Sequence, residues 1–181
     1  CGTTVSSTQV SECTKLLDTE LEKWRERPLG ICPYLVLDAR YEKVRLNGQL
    51  LDCAVLLALG IGPDGKRALL GVSVALSEAE VHWRAFLQSL SQRGLVGVQF
   101  VVSDDHVGLK AARTAVFPAI PWQRCQFHLQ QNAQAYVPRR EQREEIGQAI
   151  RSLFASPDRA AAEQRLKQLV THYTPSAPKL A

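Results

Sequence analysis

Two aspartates stand where strand patterns would hold them stiffly. Asp38 lies inside the run Tyr34-Leu35-Val36-Leu37-Asp38, and Asp104 directly follows the apolar run from Val98 to Ser103. An ionised carboxylate within an apolar strand is costly to bury unless it is paired or coordinates a cation. If the two strands are neighbours, the carboxylates meet, and divalent cations between them turn repulsion into attraction. Two Mg2+ (or Mn2+) ions about 3.5–4 Å apart then activate a water or a 3′-hydroxyl for in-line phosphoryl transfer and stabilise the leaving oxygen. The same residues also have an ordinary reading, in which Asp38 pairs with Arg40 or Arg45 and Asp104 or Asp105 caps the next helix. His106 either reaches a phosphate or water or helps to start that helix. Cys125 and His128 have the C-x-x-H spacing of half a zinc site, but no second pair completes it. Arg139, Arg140 and Arg143 form a solvated helix face or touch a DNA backbone.

These residues need rigid elements around them. Ser7 to Arg25 spaces Val10, Leu17, Leu21 and Trp24 as a surface helix does, and Arg27-Pro28-Leu29-Gly30 ends it. Short strands are predicted at Tyr34–Asp38 and Lys43–Leu46, followed by a long apolar run from Leu50 to Ile61. Asn47-Gly48 is a type I′ hairpin signal, so these neighbours are antiparallel. Lys66 to Ala75 returns as a further strand or continues the previous one. Ser77 and Glu80 have the form of a capping box before a helix that runs to Arg93-Gly94. Val98 to Ser103 reads as a strand buried on both faces. A helix over Gly108–Val116, a strand over Trp122–Cys125 and a helix over Phe127–Tyr136 follow. Beyond Val137-Pro138 the composition turns to Arg, Glu and Gln, as in a helical hairpin. Three hairpin-joined strands, then helix, strand, helix, strand and helix is the order of an α/β fold: a mixed five-stranded sheet flanked by helices, which is also the ribonuclease H-like order.

With 181 residues and 45% hydrophobic content, one domain with short extensions can bury a sizeable core. No apolar stretch of about 18 residues and no secretory leader pattern is found, so no membrane partner is expected and the location is cytoplasmic. The five cysteines fit neither a disulfide framework nor a four-cysteine zinc site, and reduced thiols are expected. A balance of 22 basic against 18 acidic residues permits a nucleic-acid partner without requiring one. The chain has no methionine and opens within a polar helix-starting segment, as an internal fragment would.

Three stretches read together resemble the Mutator-type transposases of bacterial insertion sequences. They are Y-L-V-L-D-A-R-Y-E-K-V-R from Tyr34 to Arg45, G-L-V-G-V-Q-F-V-V-S-D-D-H-V-G-L-K from Gly94 to Lys110, and F-P-A-I-P-W-Q-R-C-Q-F-H from Phe117 to His128. The H-W-R-A-F-L-Q-S-L run from His82 to Leu90 joins them, and the similarity extends over about residues 5–170. The resemblance implies a ribonuclease H-like core interrupted by a helical insertion, and a DDE triad holding two Mg2+ (or Mn2+) ions. It implies that Asp38 and Asp104 are the first two metal ligands, and that His128 of the C-x-x-H element stands with them among the catalytic residues. His106, Lys110, Arg124, Arg139 and Arg140 are the implied DNA contacts. Residues 1–30 would be the end of a DNA-binding region, 31–137 the core, and 138–181 the start of the all-helical insertion. The implied partners are transposon-end and target DNA and a second copy of the full-length protein, and the implied place is the prokaryotic cytoplasm, at the nucleoid when bound.

Two departures from the family pattern stand out. Asp105 replaces a small residue and brings a third charge beside the metal site, and Gln131 replaces a basic residue. The family's catalytic glutamate follows the insertion, beyond Ala181, so this chain alone is not expected to transpose DNA. The alternatives are a non-catalytic remnant acting as a DNA-binding or oligomerising module, and a cellular nuclease drawing its last carboxylate from Glu141, Glu144 or Glu145.

Overall fold

The computed structural model describes residues 5–46, 48–137 and 139–180. In order these form α1 (Ser7–Glu26), β1 (Gly30–Ile31), β2 (Tyr34–Leu46), β3 (Gln49–Ile61), β4 (Arg67–Ala75), α2 (Glu80–Gln92), β5 (Leu95–Val96), β6 (Phe100–Ser103), α3 (Val107–Val116), β7 (Trp122–Arg124), α4 (Gln126–Ala135), α5 (Arg140–Phe154) and α6 (Arg159–Tyr173). The main sheet has the order β4-β3-β2-β6-β7, and β1 with β5 makes a separate two-stranded parallel pair. The chain divides into two compact units, Cys1–Gln123 and Arg124–Ala181.

Side-chain alternation decides which face of the sheet becomes the core. Leu35 and Leu37 on β2, Ala54, Leu56 and Ala58 on β3, and Val101 on β6 are buried, while their alternates Val36, Val55, Leu57 and Val102 are half-buried. The buried face meets Trp83, Phe86, Leu87 and Leu90 of α2 and Leu109 and Ala112 of α3 in one cluster. Leu87 is fully buried, a burial that stabilises by roughly 1.5–3 kcal/mol for a side chain of this kind. Gly71 lets β4 come close to α2, since a Cβ there would lie 3.0 Å from Leu90 and 3.1 Å from Phe86.

Several local expectations change. The two short strands predicted around Ala39–Glu42 are one 13-residue strand, β2, paired antiparallel with β3 from Tyr34↔Ile61 to Leu46↔Gln49. The polar residues that interrupt the apolar pattern belong to a projecting ribbon and have no core to face. Parallel pairing with β6 is confined to Tyr34–Val36, and β4 reaches only Ala54, opposite Tyr41. Beyond that point Glu42–Leu46 and Gln49–Cys53 pair only with each other, and Lys43 Nζ lies 3.5 Å from Asp52. Of the expected hairpin turn, Gly48 has φ of 78°, and Asn47 lies outside the described residues. The Ser77–Glu80 capping box is absent. Ala79 is the N-cap, and Ser77 Oγ accepts from the Ala79 amide at 3.4 Å, which spends the hydroxyl one turn too early. The β6 strand is fully buried on one face only.

The second unit has its own core of Ala133, Val137, Ile146, Ile150, Tyr173 and Ala177. The α4 helix packs with α5, and Asp158 caps α6 by accepting from the Ala161 amide at 2.8 Å.

Candidate active site

Register places the two aspartates. The parallel pairs of β2 and β6 are Tyr34↔Phe100, Leu35↔Val101 and Val36↔Val102. Asp38, still on β2, and Asp104, the first residue after β6, each follow the last of these pairs by two residues, and strand alternation puts Asp38 with Val36 on the face opposite α2 and α3. An Asp at Leu37 or Ser103 would have faced the helix-covered core. The expected burial of Asp38 is not observed: it is exposed, because that side of the sheet is only partly covered and the strand's apolar residues alternate away from it. Asp38 Oδ1 accepts from the Ala39 amide at 3.0 Å, while Arg40 pairs with Glu42.

Asp104 is half-buried just past the end of β6. Below it, the Ser103 hydroxyl donates to the Asp104 carbonyl at 2.8 Å and accepts from Trp122 Nε1 at 2.9 Å, which fixes the strand end. Asp104 Oδ1 accepts from the His106 amide at 3.2 Å. His106 is the N-cap of α3 without a side-chain cap bond. Asp105 points to solvent and pairs with Lys110 at 2.7 Å, and Lys110 Nζ also sits 5.7 Å from the Trp122 ring centre. The additional charge of Asp105 therefore has a cation of its own.

A third carboxylate, absent from the sequence reading, belongs to this cluster. Glu78, on the loop between β4 and α2, has a side chain only 12% exposed, with Oε2 3.8 Å from His106 Nδ1. Burial is the largest influence on its acidity and raises its pKa above the ordinary value. The nearby His106 opposes that rise, the charges of Asp104 and Asp38 add to it, and the Trp83 indole N–H opposes it slightly. The indole lies near the carboxylate, yet its Nε1 makes no hydrogen bond of acceptable geometry. The loop is fixed from two sides. Its Glu78 amide donates to the Tyr41 hydroxyl at 3.4 Å, and α3 presents Gly108, where a Cβ would stand 2.2 Å from the Glu78 carbonyl oxygen. No spacing rule links a loop glutamate to strands tens of residues away; the Ser77-Glu78 pair before the helix was the available signal.

Asp38 and Asp104 supply oxygen donors of the hard type that Mg2+ or Mn2+ prefers. Among the described residues no group of three or more His, Cys, Asp or Glu side chains stands ready to enclose a metal. Two carboxylates suit Mg2+, which commonly takes one or two from the protein and completes its shell with water and substrate phosphates. His128 and Arg124 belong to the second unit, together with Arg139 and Arg140 on and beside the first turn of α5. Arg124 and His128 are half-buried, and both arginines of α5 are exposed. Cys13, Cys32, Cys53 and Cys125 are free thiols. No described helix is long and apolar enough to cross a membrane.

Three strands joined in antiparallel sequence, β2 to β3 to β4, with β6 added parallel to β2 and helices α2 and α3 packed against one face, define a ribonuclease H-like fold. A family profile described as "Transposase, Mutator family" matches residues 1–181, and the chain belongs to that family. It is 58% identical over 177 residues to the transposase of insertion sequence element IS406 from Burkholderia multivorans, covering 98% of this chain and 46% of that protein. With the ISRM5 transposase of Rhizobium meliloti the identity is 41% over 181 residues, covering 99% of this chain and 45% of the relative. The chain thus spans about half the length of these curated relatives. Among solved structures, the HTLV-2 integrase catalytic core domain in complex with magnesium is similar over 79% of this chain and 87% of that one. Its TM-score is 0.33 at 13% identity, too low to add to the topology.

Proposed function

We propose that this chain is the part of a DNA transposase that carries two of its three metal-binding carboxylates, Asp38 and Asp104. The complete enzyme cleaves DNA strands and transfers them by the DDE mechanism, with its glutamate contributed by sequence following the helical segment 138–181. Two Mg2+ (or Mn2+) ions, when bound, would activate the attacking oxygen and stabilise the leaving one. The chain's own part is to hold the two aspartates stiffly at one level of the sheet, with Ser103 and Trp122 bracing the end of β6. In this reading residues 1–30 end a DNA-binding region and 31–137 form the core. His128 takes part in catalysis, while His106, Lys110, Arg124, Arg139 and Arg140 contact the DNA backbone. The full-length protein works as a homo-oligomer on transposon ends and target DNA in the bacterial cytoplasm, at the nucleoid.

The observation that supports this reading is the parallel register of β2 and β6, Tyr34↔Phe100 to Val36↔Val102, with Asp38 and Asp104 each two residues past its last pair. Calorimetric titration of Mn2+ tests it directly. The chain should bind the ion, and an Asp38→Asn, Asp104→Asn double variant with unchanged helical content should not. Equal binding by both proteins, or by neither, removes the metal-site reading. The 181-residue chain alone is expected to give no strand-transfer product in a gel assay, and a product would show that the missing glutamate is dispensable.

A further inference from the structure

The His106 ring is 38% exposed, yet its Nδ1 is buried and has no hydrogen-bond partner. Its accessible edge is therefore the side away from Nδ1, which includes Nε2. The facing carboxylate oxygen is Glu78 Oε2, at 3.8 Å. That separation is too long for a hydrogen bond, but a buried ring nitrogen left unpaired is unfavourable, and Glu78 Oε2 is the acceptor that faces it. Catalytic hydrogen bonds are often long before substrate arrives and tighten afterwards.

The acceptor in this pair is held from several directions. Tyr41 of β2 receives the Glu78 amide, Gly108 of α3 admits the Glu78 carbonyl at a distance no Cβ would tolerate, and the fully buried Trp83 indole lies beside the carboxylate. Strand β2, the loop before α2, and α3 thus converge on one residue. His106 is tied at its backbone to Asp104, whose carboxylate accepts from the His106 amide. A second carboxylate behind an imidazole fixes both its tautomer and its orientation.

We propose that Glu78 is a positioning residue: it holds the proton of the His106 imidazole on Nδ1 and leaves Nε2 as the atom that hydrogen-bonds the DNA sugar-phosphate chain beside Asp104. The DNA-facing half rests on the transposase reading above; the imidazole–carboxylate half does not. The arrangement also accounts for Gly108, because any side chain there would push Glu78 away from the ring.

Long-range proton–nitrogen NMR spectra of the histidine-labelled chain read the tautomer, with His106 identified by its loss in a His106→Asn variant. In the wild type the neutral ring of His106 should carry its proton on Nδ1. Glu78→Ala should move it to Nε2, and Glu78→Gln, whose amide oxygen still accepts, should retain it on Nδ1. Addition of a short blunt DNA duplex should shift the Nε2 signal and leave Nδ1 in place. A wild-type ring protonated on Nε2 overturns the inference without any variant having to fold, as does a tautomer indifferent to Glu78→Ala. A duplex that leaves Nε2 unmoved overturns the DNA-facing half. Failure of the transposase reading shows elsewhere, as Mn2+ binding indifferent to Asp38 and Asp104.

Discussion

At the scale of single residues, Glu78 links folding to pH. Its folded-state pKa is raised above the ordinary value of 4.5, chiefly by burial. The native chain therefore keeps this proton at pH values where the unfolded chain has released it. The resulting stabilisation is fully present below about 4.5 and is lost as pH rises through the higher folded value. Urea midpoints measured across that window should fall with pH in the wild type. In Glu78→Gln the slope should be shallower, because the amide does not titrate. Identical slopes would show that the native carboxyl titrates like the unfolded one. Residue type and strand context made both aspartates candidates, alongside an ordinary structural reading, and it was the family resemblance that singled them out. Glu78 was not, since its proximity to His106 arises from tertiary packing between a loop and a helix start. The exposure of Asp38 was also hidden: an apolar run reveals that a strand is buried, but not which of its faces.

Elements carry a different kind of expectation. The α3 helix begins against the backbone of residues 78–80, and a Cβ at Gly108 would stand only 2.2 Å from the Glu78 carbonyl oxygen, which leaves no room for a methyl group. Gly108→Ala should destabilise the chain by about 1–3 kcal/mol in denaturant titration, as overpacking does, and should shift the His106 signals along with it. A neutral effect would mean that the loop has freedom to retreat. At the start of α6, Asp158→Ala removes the cap on Ala161 and should cost about 1 kcal/mol, read as fraying of the first turn by amide exchange. Helix positions were readable to within a residue or two because their periodicity is local. The β1–β5 pair was missed because two-residue strands carry no pattern, and the capping box failed because a hydroxyl three residues before a glutamate also suits a loop turn.

Over the whole molecule, two hydrophobic clusters stand in separate units, and perturbing one should leave the other's protection intact. Ile146 is 2% exposed in the helical unit, so Ile146→Ala should cost about 2–5 kcal/mol there. Hydrogen exchange should accelerate in α4 to α6 while β2, β3 and β6 keep their wild-type rates. Acceleration in all of them would show one cooperative body. The alternation of strands and helices made the α/β class legible, but the grouping of α4 with α5 depends on which apolar faces meet.

The parallel register of β2 and β6 makes the site indifferent to many substitutions and intolerant of changes in length. A three-base insertion that adds one residue between Val36 and Asp38 keeps the reading frame and alters no other side chain. It still leaves the strand two choices: to bulge, or to turn Asp38 toward Leu87 and Leu109. Either choice separates the carboxylates, so such a copy should lose Mn2+ binding while its circular dichroism stays near that of the parent. On the proposed transposase reading, in-frame length changes in this strand would silence a mobile element as surely as a stop codon, while leaving its gene looking whole.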